Sequence, residues 1–120
     1  MQEKLYNVII AGSRAIHDYE TLKQKCDYYL QSKEKIAVIC GMARGADMLG
    51  RRYAQEKGFP CIEYPADWKK YGKCAGYIRN RQMAQTANAL LAFWDGESRG
   101  TKNMIELAEE YGLDMRVIKY

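Results

Sequence analysis

The sequence predicts an α/β domain: a Rossmann-like three-layer α/β/α arrangement around a mainly parallel sheet of about five strands. Three observations predict it. Short apolar runs alternate with amphipathic segments along the chain. The runs are nearly continuous in apolar residues, as strands covered on both faces are. The residues that break the pattern fall directly after those runs, where open α/β sheets hold their ligands.

The elements follow in order. Leu5 to Ala11 (LYNVIIA) reads as a buried strand, rich in β-branched residues and stopped at Gly12. Asp18 is placed to cap a helix with Leu22, Cys26, Tyr29 and Leu30 on one face. Lys35 to Cys40 (KIAVIC) is a second strand, ended by Gly41. A helix from Ala46 to Lys57 turns Ala46, Leu49, Gly50, Tyr53 and Ala54 inward, with Gly58 as its stop. Pro60 to Tyr64 is a short third strand, and a further helix begins near Ala75. Asn88 to Trp94 (NALLAFW) is a fourth strand, strongly apolar and expected to be central. The last helix runs from Thr101 to Tyr111, burying Met104, Leu107, Ala108 and Tyr111. Met115 to Lys119 closes the sheet. No repeat or linker divides residues 1–120, which are expected to form one domain.

Composition narrows the function classes. Hydrophobic residues make up 48% and charged residues 28%, as in ordinary globular domains. No apolar run is long enough for a membrane span, and the start MQEKLYN lacks the pattern of a secretory signal. The expectation is a cytoplasmic protein without a membrane partner. A net charge of +4 permits an anionic partner but falls short of the footprint of a dedicated nucleic-acid binder. Cys26, Cys40, Cys61 and Cys74 lack the spacing of a zinc or redox motif, and His17 is the single histidine. Neither a metal site nor a cofactor is expected.

Four strand-to-helix connections carry the candidate chemistry. In Gly12-Ser13-Arg14 the glycine admits close approach, the serine offers a hydroxyl and the arginine a planar fork for phosphate. The plainer alternative is a turn with a surface arginine. In Gly41-Met42-Ala43-Arg44-Gly45-Ala46-Asp47 two glycines bracket an arginine at a helix start, where free amides and the dipole favour an anion. Asp47 either complements that dipole or fixes the loop by holding Arg44 or Arg14.

Between Ala66 and Met83, Arg79-Asn80-Arg81 interrupts any clean apolar stripe. Such breaks mark function more often than residues that fit, the alternative being a solvated helix face. Asp95-Gly96-Glu97-Ser98-Arg99-Gly100-Thr101 combines amides at a helix start with hydroxyls and a charge, the physical recipe for a phosphate cradle. It lacks the Gly-Lys-Ser/Thr ending of a Walker A loop, and Gly12-Ser13-Arg14 does not make a dinucleotide fingerprint.

Together these segments resemble the SLOG superfamily, which includes the Lonely Guy nucleotide hydrolases and the DNA-processing protein A (DprA) family. They most resemble its small YspA-type branch. The pieces are GSR at Gly12–Arg14, GMARGAD at Gly41–Asp47, PADWKKYGKCAGYIRNRQM at Pro65–Met83 and FWDGESRGT at Phe93–Thr101. The resemblance implies a Rossmann-like fold that binds nucleotides or nucleotide-derived ligands. GMARGAD is similar to the glycine-rich segment of the DprA family, which binds single-stranded DNA. The run IRNRQMAQTANALLAF resembles the Lonely Guy segment before its phosphate loop, which implies that Arg79 and Met83 border the pocket. Lonely Guy enzymes follow Gly-Thr with paired glutamates, whereas here Lys102, Asn103 and Met104 follow and the first glutamate is Glu106. The carboxylate for cleaving an N-glycosidic bond, as a phosphoribohydrolase would, is missing from its usual place. Asp95 and Glu97 are the alternative carboxylates.

The expected ligand is therefore a small nucleotide-like molecule. Ser13, Arg14, Gly100 and Thr101 would hold phosphate, and Arg44, Arg79, Asn80 and Arg99 would line the rim. Gly12, Gly41, Gly45, Asp47, Met83, Asp95 and Ser98 complete the candidate set. Trp68 or Trp94 is available to stack on a base, Trp94 being equally suited to burial at a strand end. The alternative is a single-stranded nucleic-acid-binding domain using the same arginines along a groove. A homodimer is expected from the family likeness and from Tyr19, Tyr28 and Tyr29, more aromatic surface than one helix face needs.

Overall fold

The computed structural model describes residues 5–13, 18–41 and 46–119, and of residues 46 and 47 only the backbone. Five strands form one sheet: β1 (Tyr6–Gly12), β2 (Ile36–Cys40), β3 (Cys61–Glu63), β4 (Ala89–Trp94) and β5 (Asp114–Lys119). Their order is β3-β2-β1-β4-β5 and every neighbouring pair is parallel. β1 holds the middle, and β4 is interior, flanked by β1 and β5. The helices are α1 (Tyr19–Leu30), α2 (Ala46–Lys57), α3 (Trp68–Tyr71), α4 (Ala75–Thr86) and α5 (Arg99–Glu110).

Strand periodicity assigns the two faces. Val8, Ile10, Val38, Leu91 and Phe93 pack under α1 and α2, against Leu22, Cys26, Tyr53 and Ala54. Ile9, Ala11, Ile39, Leu90 and Ala92 point the other way, toward Met83 and Ala84 of α4 and Met104, Leu107 and Ala108 of α5. This is the three-layer α/β/α arrangement, with successive strand residues on opposite faces of the pleat.

Sequence and structure agree closely on element order, and the differences have local causes. The Asp18 carboxylate caps α1, accepting from Thr21 N at 3.1 Å. Tyr19 proves buried, Tyr29 half-buried and Tyr28 exposed. Tyr19 and Tyr53 use their hydroxyls to tie α1 and α2 together: Tyr19 donates to Glu56 and Tyr53 to Asp27, each at 2.7 Å. Burial and the neighbouring Asp27 carboxylate push the Tyr53 phenol well above its ordinary range. α5 begins at Arg99, two residues before the expected Thr101, because Ser98 supplies the cap. α3 and the 3₁₀ turn Gly72–Cys74 that follows it were not legible as periodic segments. A four-residue turn capped by Asp67, which accepts from Lys70 N at 3.1 Å, is too short to show a period.

The β1–β4 pairing begins with Asn7 and Asn88. Asn7 N–H donates to Asn88 Oδ1 at 2.9 Å, and Asn88 N–H donates to Asn7 O at 2.7 Å. Among the described residues no helix is long and apolar enough to cross a membrane.

Gly50 fixes how closely α2 lies on the sheet. A Cβ there would stand 2.9 Å from both Cβ and Cγ2 of Ile10, which is fully buried in β1. Gly50→Ala is therefore expected to destabilise the fold by about 1–3 kcal/mol through overpacking. The midpoint of urea unfolding, at unchanged slope, checks this.

Candidate functional site

An all-parallel sheet sends every strand-to-helix connection out at one edge. The strand order reverses between β1 and β4, since β2 and β3 lie on one side of β1 and β4 and β5 on the other. Ligands of open α/β sheets bind in the crevice at such a switch point. The connections after β1 and β4 meet there. Ser13 N–H donates to Phe93 O at 3.0 Å, extending the ladder one residue beyond β1. The Ser13 hydroxyl, in a residue only 2% exposed, accepts from Asp95 N at 3.2 Å.

The segment after β4 is folded by its own side chains. Asp95 Oδ1 accepts from Glu97 N at 2.8 Å and Ser98 N at 2.9 Å. Trp94 Nε1 donates to Ser98 O at 3.1 Å. Ser98 Oγ caps α5, accepting from Thr101 N at 3.4 Å and lying 3.0 Å from the Thr101 hydroxyl. The amides of Glu97 and then Ser98, with a smaller contribution from the Ser13 hydroxyl, hold the Asp95 carboxyl below its ordinary value. The ionised form makes these bonds, so their contribution is complete above about pH 4 and is lost as pH falls through the lowered value.

α4 ties this segment to the connection after β2. Asn80 is buried; its Nδ2 donates to Gly100 O at 3.3 Å and to Asn103 Oδ1 at 2.9 Å. Its Oδ1 accepts from Arg79 Nε at 3.0 Å. Arg79 Nη1 donates to Gly41 O, the first residue after β2. Contacts thus run from Gly41 through Arg79 and Asn80 to Gly100, and from its neighbour Thr101 through Ser98 and Asp95 to Ser13.

Helix geometry gives the Arg99 and Gly100 amides no acceptor within α5. Among the described residues, a Cβ at Gly100 would meet nothing within 4 Å, so this position of the first turn of α5 faces open space. Arg99 is exposed at the first position of that helix. The dipole adds roughly half a positive charge at the same end. Unpaired amides, the helix dipole and an exposed arginine at one helix start are the ingredients of an anion site.

The other expected site residues fall as follows. Gly12 ends β1, in register with Phe93. Thr101 is buried under the first turn of α5. Met83 lies one turn beyond Asn80, 2% exposed in the core beneath α4 and α5. Arg81 does not join the cluster: it pairs with Glu110 at 2.9 Å and donates to Tyr111 at 3.0 Å. Glu97 is exposed. Arg14, Arg44, Gly45 and the side chain of Asp47 lie outside the described residues.

Asn103 was missed. It counted only as a departure from the paired glutamates, yet it is the side-chain partner of Asn80. Its signal was a polar residue beside Met104, four positions before the buried Leu107, on the most amphipathic helix.

Asn80 is the joint of this assembly. Asn80→Ala removes a buried amide with three hydrogen-bond partners and is expected to cost about 1–3 kcal/mol. Chemical denaturation measures the loss, and amide exchange in the first turn of α5 should quicken.

Comparisons with known proteins agree with this architecture. A sequence profile of the YspA, cpYpsA-related SLOG family matches residues 6–71. The Gene 61 protein of Mycobacterium phage D29 is 35% identical over 113 residues, covering 88% of this chain and 90% of that one. The structure of DNA processing protein A (DprA) from Streptococcus pneumoniae superposes with a TM-score of 0.74 at 19% identity. That match covers 94% of this chain but only 50% of the pneumococcal one, so the likeness is one of fold. The profile match and the phage relative place the chain in the YspA, cpYpsA-related SLOG family.

Proposed function

We propose that this protein binds a nucleotide or a nucleotide-derived phosphorylated ligand at the carboxyl edge of its sheet, with a phosphate on the first turn of α5. One observation carries the reading. The Asn80 amide holds Gly100 O at the β1–β4 switch point, and the space in front of Gly100 is open. Arg99 supplies charge from the helix start, Ser98 Oγ sits at its cap, and the Ser13 hydroxyl lies at the Asp95 amide in the adjoining segment. Arg14 and Arg44, which follow β1 and β2 in sequence, add positive charge to neighbouring connections. Family membership supports a nucleotide-related ligand.

The fold shared with a DNA processing protein favours a second reading, a single-stranded nucleic acid at the same edge. Salt separates the two. A strand that engages several phosphates gives a steep dependence of affinity on ionic strength, and a mononucleotide a shallow one.

A thermal-shift panel of nucleotides, NAD and ADP-ribose identifies the best ligand, and calorimetry then tests the cradle. Arg99→Ala is expected to weaken binding by about 1.5–3 kcal/mol, the worth of a charged hydrogen bond. Gly100→Val should block binding while the protein stays folded, because the new side chain enters open space. Glu106→Ala should leave affinity nearly unchanged, since Glu106 lies beyond the first turn of α5. Wild-type binding by both Arg99→Ala and Gly100→Val overturns the cradle.

A further inference from the structure

The two tryptophans occupy opposite situations. Trp94 ends β4, and its ring N–H is committed to Ser98 O. Trp68 opens α3 and leaves 58% of its surface in water. A ring of that size is costly to expose, and an exposed indole presents one flat apolar face.

Its position is built rather than incidental. Asp67 caps the turn that carries it. Gly72 closes that turn in the left-handed region, at φ +58°, with its N–H donating to Trp68 O. The tip of the ring reaches α4 at Gly76. A Cβ at Gly76 would lie 3.7 Å from Trp68 Cη2 and 3.8 Å from Arg79 Nη2. The indole and the guanidinium thus converge over one glycine. Arg79 in turn bonds Asn80, whose amide holds Gly100 O. The exposed indole therefore stands beside the cluster that positions the first turn of α5. Lys69, Lys70 and Lys73 are exposed around it and add positive charge.

We propose that Trp68 is the base-stacking residue of this site: a nucleobase lies on its exposed face while the phosphate sits on the first turn of α5. The proposal rests on the phosphate reading above and adds the second half of the ligand. An indole face stacks on any base, so this contact adds affinity without selecting among bases. The base can belong to a free nucleotide or to a single strand.

Three probes and two variants test it. Calorimetry compares AMP, ribose 5-phosphate and a short single-stranded oligodeoxyadenylate on wild type, Trp68→Leu and Trp68→Phe. Leucine stays apolar but has no aromatic face and is too short to reach Gly76; phenylalanine keeps a smaller aromatic face. Wild type should bind AMP more tightly than ribose 5-phosphate. Trp68→Leu should weaken AMP by roughly tenfold to a hundredfold, the worth of one stacked base. It should leave ribose 5-phosphate within about twofold, since that ligand has nothing to stack. Trp68→Phe should keep most of the AMP affinity. Oligonucleotide binding tighter than AMP, with a steep salt dependence and the same loss in Trp68→Leu, assigns the base to a strand; its absence assigns it to a nucleotide.

Equal weakening of AMP and ribose 5-phosphate overturns the proposal, because Trp68 then acts only by holding α3 against α4. Unchanged AMP affinity in Trp68→Leu overturns it and leaves the phosphate reading intact. A wild type that binds neither AMP nor ribose 5-phosphate, nor the oligonucleotide, overturns both.

Discussion

All five strands run in the same direction, and that single constraint organises the molecule. Parallel neighbours cannot be joined by tight turns, so each connection must cross over a face of the sheet. α1 and α2 cover one face while the chain adds β2 and β3 outward from β1. α4 and α5 cover the other once the chain returns to the opposite side of β1. The change of face opens a crevice at one edge. Everything in the candidate site, from Ser13 to the first turn of α5, is where it is because β4 had to lie beside β1.

Most of the fold was legible because buried strands and amphipathic helices write their periods into the sequence. The bounds of α2 follow from its inward residues and from Gly58, which takes φ +74° just past the helix end. Short elements are harder to read. β3 has three residues and α3 four, fewer than either period needs to declare itself. The start of α5 was ambiguous for a chemical reason. Ser98 and Thr101 both carry hydroxyls fit to cap a helix, and only the folded segment shows that Ser98 does so while Thr101 is buried as its partner.

The candidate site was legible in its residue types and obscure in its wiring. Asn80 stood out as a polar residue in an apolar setting, but that it holds Gly100 and Asn103 depends on how α4 and α5 pack. Asp95 looked like a spare carboxylate. In the structure Oδ1 shapes the segment after β4 through two amides, a local geometry that sequence spacing alone cannot separate from an exposed acid. Arg79 and Arg81 are two positions apart and indistinguishable as letters. The helix turns one toward Gly41 and the other toward Glu110 on the outer surface.

The β1–β4 seam has a consequence for the order of folding events. β1 and β2 pair residues about 30 positions apart, and β2 and β3 fewer, so these contacts close short loops. Asn7 and Asn88, which begin the seam, are 81 positions apart. Closing that distance costs more chain entropy and belongs to the slow, non-local part of folding. The crevice does not exist until the seam is closed. A ligand that recognised this crevice would meet only the folded protein, so its binding energy would add directly to the stability of the native state.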